Sequence, residues 1–438
     1  RLPLSSLHFL TFIFVVTSTM TTKFMMMMTT NLLLLMMMMM MHATSPHVGV
    51  ADAFFQGWGR DTSSTDINSR SAGRAVPPPK PAGASSWPAK GENDVYFAHI
   101  SDFGVNNRNQ RKVAKVLGAA AHHYNISAVV TGGDNFYPDG VASLRDPRFR
   151  ACFEEQYSDT DALFVPWWPS LGDHDVCGNV QAQIDYSKNS ERWDMPAPYY
   201  MRTLQAGKGG KVVVALLIIE TSSLEAYFAP EDQDIENRRF QYKMDKQVTS
   251  KEAGARQLAW IKSQASEARR NGAEWIVAVG HKPAITAANR QWRGDGATRE
   301  LGGRMWYAEA VLVNGQLHDA LVDAGVDVML AGHDHSLQHL ESPKSGFTTI
   351  ISGAAGYGAS QRSALNIDPE HESYVYAADL DDGDGGFAIY GVGDDGLFKV
   401  MFFDEEGRLL WRATLNRKCS RDEAPPIRHY RCVGERSA

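Results

Sequence analysis

Between residues 95 and 331 apolar and polar positions follow two rhythms. Val95–Ile100 is an apolar, β-rich run that stops at Asp102. Ala128–Thr131 stops at Gly132-Gly133-Asp134, Phe164–Leu171 at Asp173 and His174, Trp275–Val279 at His281, and Val326–Ala331 at His333 and His335. Lys211–Ile219 reads as a further long, buried strand. Stretches with helical spacing lie between these runs: Arg108–His123, Gln257–Arg270 with Leu258, Ile261 and Ala265 in register, and Leu317–Ala324. Strands alternating with helices predict parallel pairing, which gathers loops at the carboxyl ends of the strands. After Phe347 the rhythm changes. Thr348–Ser352, Gly386–Val392, Leu397–Phe403 and Leu409–Leu415 are strand-like, separated by GDDG and DEEG turns, and predict a second, largely antiparallel sheet. The expectation is one α/β unit over residues 95–417, two packed sheets flanked by helices.

Composition bears on what surrounds that unit. HFLTFIFVV at residues 8–16 and NLLLLMMMMMM at Asn31–Met41 are apolar. Neither reaches the ~18–20 uninterrupted residues of a membrane span. Residues 1–43 read as a targeting segment: initiation at Met20 gives MTTK as a charged start, then an apolar stretch, then Ala43 near a cleavage point. Cleavage predicts a secretory route, ending outside the cell or in a lysosome- or vacuole-like compartment. Membrane association is expected only if the apolar segment is retained.

Residues 44–94 are rich in Pro, Ser, Gly and Ala (VPPPKPAGASSWPAK) and read as a linker without enough apolar surface to order itself. Residues 418–438 read as a tail carrying Cys419 and Cys432. Four cysteines allow three pairings. The local ones, Cys152–Cys177 and Cys419–Cys432, demand least chain entropy, and four free thiols are the alternative. A glycosylation sequon, Asn125-Ile126-Ser127, precedes a buried-type strand. A net charge of −7 with no basic stripe argues against a nucleic-acid partner.

Candidate chemistry sits at the ends of the apolar runs. SDFG (Ser101–Gly104), GGDNFY (Gly132–Tyr137), GDHD (Gly172–Asp175), GHKP (Gly280–Pro283) and GHDH (Gly332–His335) supply carboxylates, imidazoles and one phenol. That is a donor set for two hard-to-borderline metal ions sharing a site. Each motif alone is a common turn; five in this order, at strand exits, predict a dinuclear centre. Phosphate-ester hydrolysis at moderate pH needs a hydroxide nucleophile and neutralisation of the transferring group. Two ions about 3.5–4 Å apart provide both.

Gly133-Asp134 offers the tight turn a bridging carboxylate needs. The Tyr137 phenol, with an ordinary pKa of about 10, ligates as phenolate only to a strongly acidic cation, which favours Fe(III). His122, His123, His318 and His339 lie away from the motifs and read as structural. Lys282 reads as a solvated or substrate-facing cation rather than a ligand.

With these residues in place, the chain resembles the purple acid phosphatases of the small tartrate-resistant type, within the calcineurin-like metallophosphoesterases. The likeness spans roughly Val95–Arg417 and includes GNVQAQIDYSKNSERWDMPAPYY and LAGHDHSLQHL. Members outside the purple group carry Asp-x-His in the first motif. Here Gly104 takes the histidine position and Tyr137 is present, the purple-type combination.

The resemblance implies an α/β fold, a four-layer α-β-β-α sandwich of two mixed sheets flanked by helices. It implies Fe(III) held by Asp102, Asp134, Tyr137 and His335, and a divalent ion (Fe, Zn or Mn) held by bridging Asp134 with Asp173, His281 and His333. His174 would contact the substrate phosphate or protonate the leaving group, with Asp175 orienting its ring. Acid phosphatase activity follows, with metal-bound hydroxide attacking phosphate monoesters, from small molecules to phosphopeptides.

Two departures stand out. The family's third motif reads Gly-Asn-His, whereas this chain has Gly172-Asp173-His174, an anion in place of a neutral amide. The segment Ala287–Gly315 is longer than in the small mammalian-type enzymes, which suggests a loop restricting or covering the site mouth. Two alternatives stay open: a phosphodiesterase or nucleotide pyrophosphatase on the same site, or a metal- or phosphate-binding protein whose turnover Asp173 has weakened.

Overall fold

The computed structural model of the protein describes residues 87–207, 210–228, 244–245, 247–288, 313–357, 367–381, 383–393, 395–416 and 433–435. In chain order the strands are β1 (Val95–Ile100), β2 (Ala128–Thr131), β3 (Trp167–Pro169), β4 (Tyr200–Ala206), β5 (Lys211–Ile218), β6 (Trp275–Val279) and β7 (Val328–Ala331). Then come β8 (Leu337–Glu341), β9 (Thr348–Ser352), β10 (Tyr374–Ala377), β11 (Gly386–Val392), β12 (Leu397–Asp404), β13 (Leu409–Asn416) and β14 (Val433–Glu435). The α-helices are α1 (Arg108–Tyr124), α2 (Val180–Tyr186), α3 (Thr221–Phe228), α4 (Lys251–Arg270) and α5 (His318–Ala324).

These strands build two seven-stranded sheets, ordered β14-β13-β12-β11-β1-β2-β3 and β10-β8-β9-β7-β6-β5-β4. In the first, β1, β2 and β3 are parallel; in the second, β5, β6, β7 and β9 are. The parallel strands are buried on both faces, which is why they read as continuous apolar runs. In β6, Trp275, Val277 and Val279 belong to the core between the sheets, and Ile276 and Ala278 to the core under the helices. The sheets meet through contacts such as Trp275 on Phe398, with ring centroids 5.2 Å apart. Helix α4 starts where the Ser250 hydroxyl accepts from Ala253 N, and it buries Ile261, Ala265 and Ala268. No helix among the described residues is long and apolar enough to cross a membrane.

The expected second antiparallel sheet does not form as a separate unit. β11, β12 and β13 continue the first sheet beyond β1, each antiparallel to its neighbour, while β9 joins the second sheet parallel to β7. Both sheets are therefore mixed, as the resemblance implies. The strand expected at Phe164–Leu171 shortens to Trp167–Pro169, because Asp161–Leu163 is a 3-10 turn and Phe164 is half-exposed.

The expected linker ends earlier than its composition implies. Trp87 is buried, packs on Tyr124 and Phe403, and donates Nε1–H to Gly407 O at 2.6 Å. Within the expected tail, β14 pairs antiparallel with β13. The targeting segment, the rest of the linker, most of the 287–315 loop, Cys419 and Cys432 lie outside the described residues. The expected Cys152–Cys177 pairing is absent: both are free thiols, and Cys177 Sγ donates to Asp173 O at 3.2 Å.

Candidate metal centre

Parallel strands of both sheets end at one edge, so β1, β2, β3, β6 and β7 deliver their exits to the same place. The turns there are unusual. Asp102, Asp134 and His333 adopt left-handed backbone, with φ of 58°, 52° and 67°. Non-glycine residues in that region cost of order 1–3 kcal/mol and persist where the surroundings over-determine them.

The restraints are visible. Asp102 N donates to Gly133 O at 3.1 Å, His333 N to Asp102 Oδ2 at 2.9 Å, and His174 N to Asp134 Oδ1 at 3.0 Å. Each of these two carboxylates thus holds the backbone of another motif, which ties four of the five exits together. Gly172 is required by close approach, since a Cβ there would lie 2.1 Å from Asp134 Oδ1. Gly104 has a similar reason: a Cβ would lie 1.9 Å from Asn135 O, so a histidine at this position cannot be accommodated.

The ligand atoms converge in two halves around Asp134. On one side, Tyr137 Oη lies 3.0 Å and His335 Nε2 3.4 Å from Asp102 Oδ1. On the other, His281 Nε2 lies 3.5 Å from Asp134 Oδ2, 3.3 Å from Asp173 Oδ1 and 3.2 Å from His333 Nδ1. Asp173, His281 and His333 form one group able to hold a cation; Asp102, Asp134 and His281 form another; Asp134, Asp173 and His174 a third. The His281 Nδ1–H donates to Gly132 O at 2.8 Å, which leaves the Nε2 lone pair facing the carboxylates. Asp173 Oδ1 is buried and, apart from the approach of His281 Nε2 at 3.3 Å, has no hydrogen-bonding partner among the described residues. A buried carboxylate whose Oδ1 faces His281 Nε2 and whose Oδ2 lies 3.9 Å from His333 Nδ1 fits a cation.

Electrostatics point the same way. Burial alone would lower the His281 imidazole, but Asp134, Asp102 and Asp173 outweigh it and push it up to about 10. Asp134 is pushed up to about 8, chiefly by burial and despite His281. Burial and the Asp102 and Asp134 charges raise the Tyr137 phenol well above its ordinary value. The site thus concentrates negative charge and recruits protons to offset it. Only a strongly acidic cation would draw phenolate from Tyr137 here, so the residues fit Fe(III) beside a divalent ion.

His174 faces the centre, whereas Asp175 is placed differently from the role expected of it. The His174 ring Nδ1 is bonded to Pro138 O, while Nε2 faces Asp134 Oδ2 at 4.0 Å. Asp175 does not orient that ring. Its buried carboxylate accepts from Asn135 N, Asn135 Nδ2, Phe136 N, Gly172 N and Gln183 Nε2 at 2.9–3.2 Å. It locks the second motif to the third, and spacing alone did not reveal that its oxygens were already occupied. Lys282 is not solvated either; it is buried, with Nζ 2.5 Å from Glu225 Oε2 on α3.

Sequence reasoning passed over Asn135, whose side chain accepts from Thr131 Oγ1 at 2.6 Å and donates to Ser170 O at 2.7 Å. It also passed over Asp334, which accepts from the Thr286 hydroxyl. Both lie inside motifs, and their partners Ser170 and Thr286 lie on other segments, so no local spacing marks them.

Known proteins carry the same arrangement of sequence. Human tartrate-resistant acid phosphatase type 5 is 29% identical over 321 residues, covering 73% of this chain and 86% of that protein. Purple acid phosphatase 7 of Arabidopsis thaliana is 27% identical, covering 75% and 88%. Among solved structures, GAP50 of Plasmodium, described as the anchor in the inner membrane complex, shares the fold. It aligns with a TM-score of 0.55 at 21% identity, over 75% of this chain and 90% of that one. Residues 95–337, the span holding every convergent ligand above, match the calcineurin-like phosphoesterase domain. With that match over more than half its length, the chain belongs to the calcineurin-like phosphoesterase family.

Proposed function

We propose that the protein is an acid phosphatase that hydrolyses phosphate monoesters at a dinuclear Fe(III)–M(II) centre, M being Fe, Zn or Mn. The observation that carries this reading is the convergence of Asp102, Asp134, Tyr137, Asp173, His281, His333 and His335 around one central carboxylate, with a phenol on one side only. Asp102, Tyr137 and His335 would hold the ferric ion, Asp173, His281 and His333 the divalent ion, and Asp134 both. When bound, two such ions acidify water and neutralise the charge of a phosphoryl group.

The chain's own residues supply positioning and proton transfer. The Pro138 carbonyl takes the Nδ1–H of His174, which directs Nε2 toward the centre. Nε2 is there the group placed to protonate a departing alkoxide. His281 is held by Gly132 O, and Asp102 and Asp134 by the backbone they restrain, so the donors are set before substrate arrives. The phosphatase relatives support a secretory or lysosome- or vacuole-like setting for this chain as part of the same proposal.

The test combines metal content, visible spectrum and turnover on one preparation. Two metal ions per chain, at least one of them iron, a tyrosinate band lost in Tyr137→Phe, and hydrolysis of p-nitrophenyl phosphate in preference to its bis ester support the reading. An oxidised, iron-loaded protein without a visible band overturns the ferric assignment, and preference for the bis ester makes it a diesterase.

A further inference from the structure

Tyr357 belongs to none of the five motifs, yet it stands against two of the ligands. It follows β9, and its N–H donates to Asp102 O at 3.1 Å. The preceding Gly356 lies so close to the first motif that a Cβ would meet Phe103 backbone atoms at 2.5 Å. The Tyr357 ring stacks on His335, with centroids 4.9 Å apart and planes at 25°. It stands edge-on to Tyr137, at 4.8 Å and 64°. Tyr137 in turn meets the His174 ring at 4.4 Å. Four rings therefore run as one wall, His335–Tyr357–Tyr137–His174, from the ligands to the residue placed to act on the leaving group.

Three of those rings have roles already. Tyr357 is anchored through its backbone and flanked on two sides, but it is 52% exposed, against 38% for Leu144, 47% for Phe164 and 40% for Tyr227, the other exposed large hydrophobic residues among the described ones. A core contact would bury such a ring. A rigid, half-open aromatic face continuous with the site suits an aromatic ligand, because ring pairs add affinity beyond the area they bury.

We propose that Tyr357 is a specificity-determining residue that receives the aromatic leaving group of aryl phosphate esters. The recognised chemistry is a phenyl ring one oxygen away from phosphate, carried by a phosphotyrosine peptide or by a small aryl phosphate. This rests on the phosphomonoesterase reading above.

The test uses metal-loaded wild type, Tyr357→Ala and Tyr357→Phe. For each, kcat/KM is measured on phenyl phosphate, a phosphotyrosine peptide, glycerol phosphate and the matching phosphoserine peptide. Binding of phenylphosphonate and methylphosphonate is measured separately by calorimetry. Tyr357→Ala is expected to lower the aryl-to-alkyl ratio about 2- to 10-fold, mainly through KM, and to lower the phenyl-to-methyl phosphonate preference by a similar factor, while Tyr357→Phe keeps both. A stronger effect on the peptide pair identifies protein-borne phosphotyrosine as the source, and a stronger effect on the small pair identifies free aryl phosphates. Equal loss on aryl and alkyl esters, or loss of metal, makes Tyr357 a support for His335 and overturns the proposal. So does an unchanged phosphonate preference. Absence of turnover by wild type on every monoester overturns the functional reading instead, and the phosphonate comparison then decides on Tyr357 alone.

Discussion

Two regions of this molecule, the strand exits and the core, treat a histidine side chain in opposite ways. At the strand exits, His281 faces three carboxylates and is pushed up to about 10, and His174 is also raised, by Asp134 and Asp173 against the effect of burial. In the core, burial lowers His99 and His339 to about 3. His339 Nδ1 accepts from Trp411 Nε1 at 3.1 Å, and His99 Nδ1 lies 3.2 Å from the Tyr390 hydroxyl. A histidine joins a group able to hold a cation here through the carboxylates beside it; burial alone gives a neutral packing residue. The third motif teaches the same lesson with acids. Asp175 has both oxygens filled by donors, while Asp173, two residues earlier, has for Oδ1 no hydrogen-bonding partner among the described residues apart from the approach of His281 Nε2.

The largest effect expected at the exits is on chemistry. His174→Ala should lower kcat by about 10²–10⁴-fold while both metals stay bound, if the residue serves the leaving group as proposed rather than a metal. The loss should be greater for alkyl than for aryl esters. Metal analysis and turnover on paired substrates check this; loss of metal would move His174 into the ligand set, where its grouping with Asp134 and Asp173 permits it.

Asp175→Ala should act on stability instead. It strands several buried N–H groups at once, and a loss of about 3 kcal/mol or more is expected in urea unfolding. A kinetic defect in a variant of unchanged stability would restore the orienting role expected from sequence.

The core histidines carry a pH signature. Their folded pKa of about 3 lies below the unfolded value of about 6.5, so between those limits the unfolded chain binds the extra protons. Their contribution is complete above about pH 6.5 and is lost as pH falls toward 3, by roughly 1.4 kcal/mol per pH unit for each. His339→Gln, which keeps an acceptor for Trp411, should remove about one proton from the slope of stability against pH between 6 and 4. An unchanged slope would show that His339 is protonated in the folded protein.

Asp173→Asn should give the smallest effect, several-fold. The structure turns this carboxylate toward His281 and His333, and despite burial those imidazoles hold it well below the usual range, so it adds a negative charge to the centre. That charge weakens attraction of phosphate and makes water at the centre a weaker acid, raising the pH optimum. The amide should lower KM and shift the acidic limb of the pH–rate profile downward. Two retained metals with an unmoved profile would refute the charge argument.

Much of this was legible in the sequence where side-chain pattern and burial coincide. The bounds of β1, β2, β6, β9 and β11 match the expectations because those strands are buried throughout and rich in apolar or β-branched residues. β4 and β10 escaped notice because they are edge strands with partly exposed residues, and β8 because LQHLE neither alternates cleanly nor runs apolar. That the motif side chains would converge was legible, since five motifs repeat one logic. Which sheet each late strand joins was not, because pairing depends on contacts far apart in sequence. The same holds for Asp175, Lys282 and Tyr357. Their partners, Asn135 and Phe136, Glu225, and His335 with Tyr137, lie on other elements, and no local spacing records them.

The central claim is that the strand exits hold two metal ions in unlike halves, a phenol-bearing half and an imidazole-rich one. Metal stoichiometry with the visible spectrum of wild type, Tyr137→Phe and His281→Ala, measured on the same oxidised preparations, tests it most directly. The account predicts two ions and a tyrosinate band in wild type, loss of the band with iron retained in Tyr137→Phe, and loss of the divalent ion with the band retained in His281→Ala. A wild type that binds a single ion, or a band that vanishes in His281→Ala while iron remains, would contradict it.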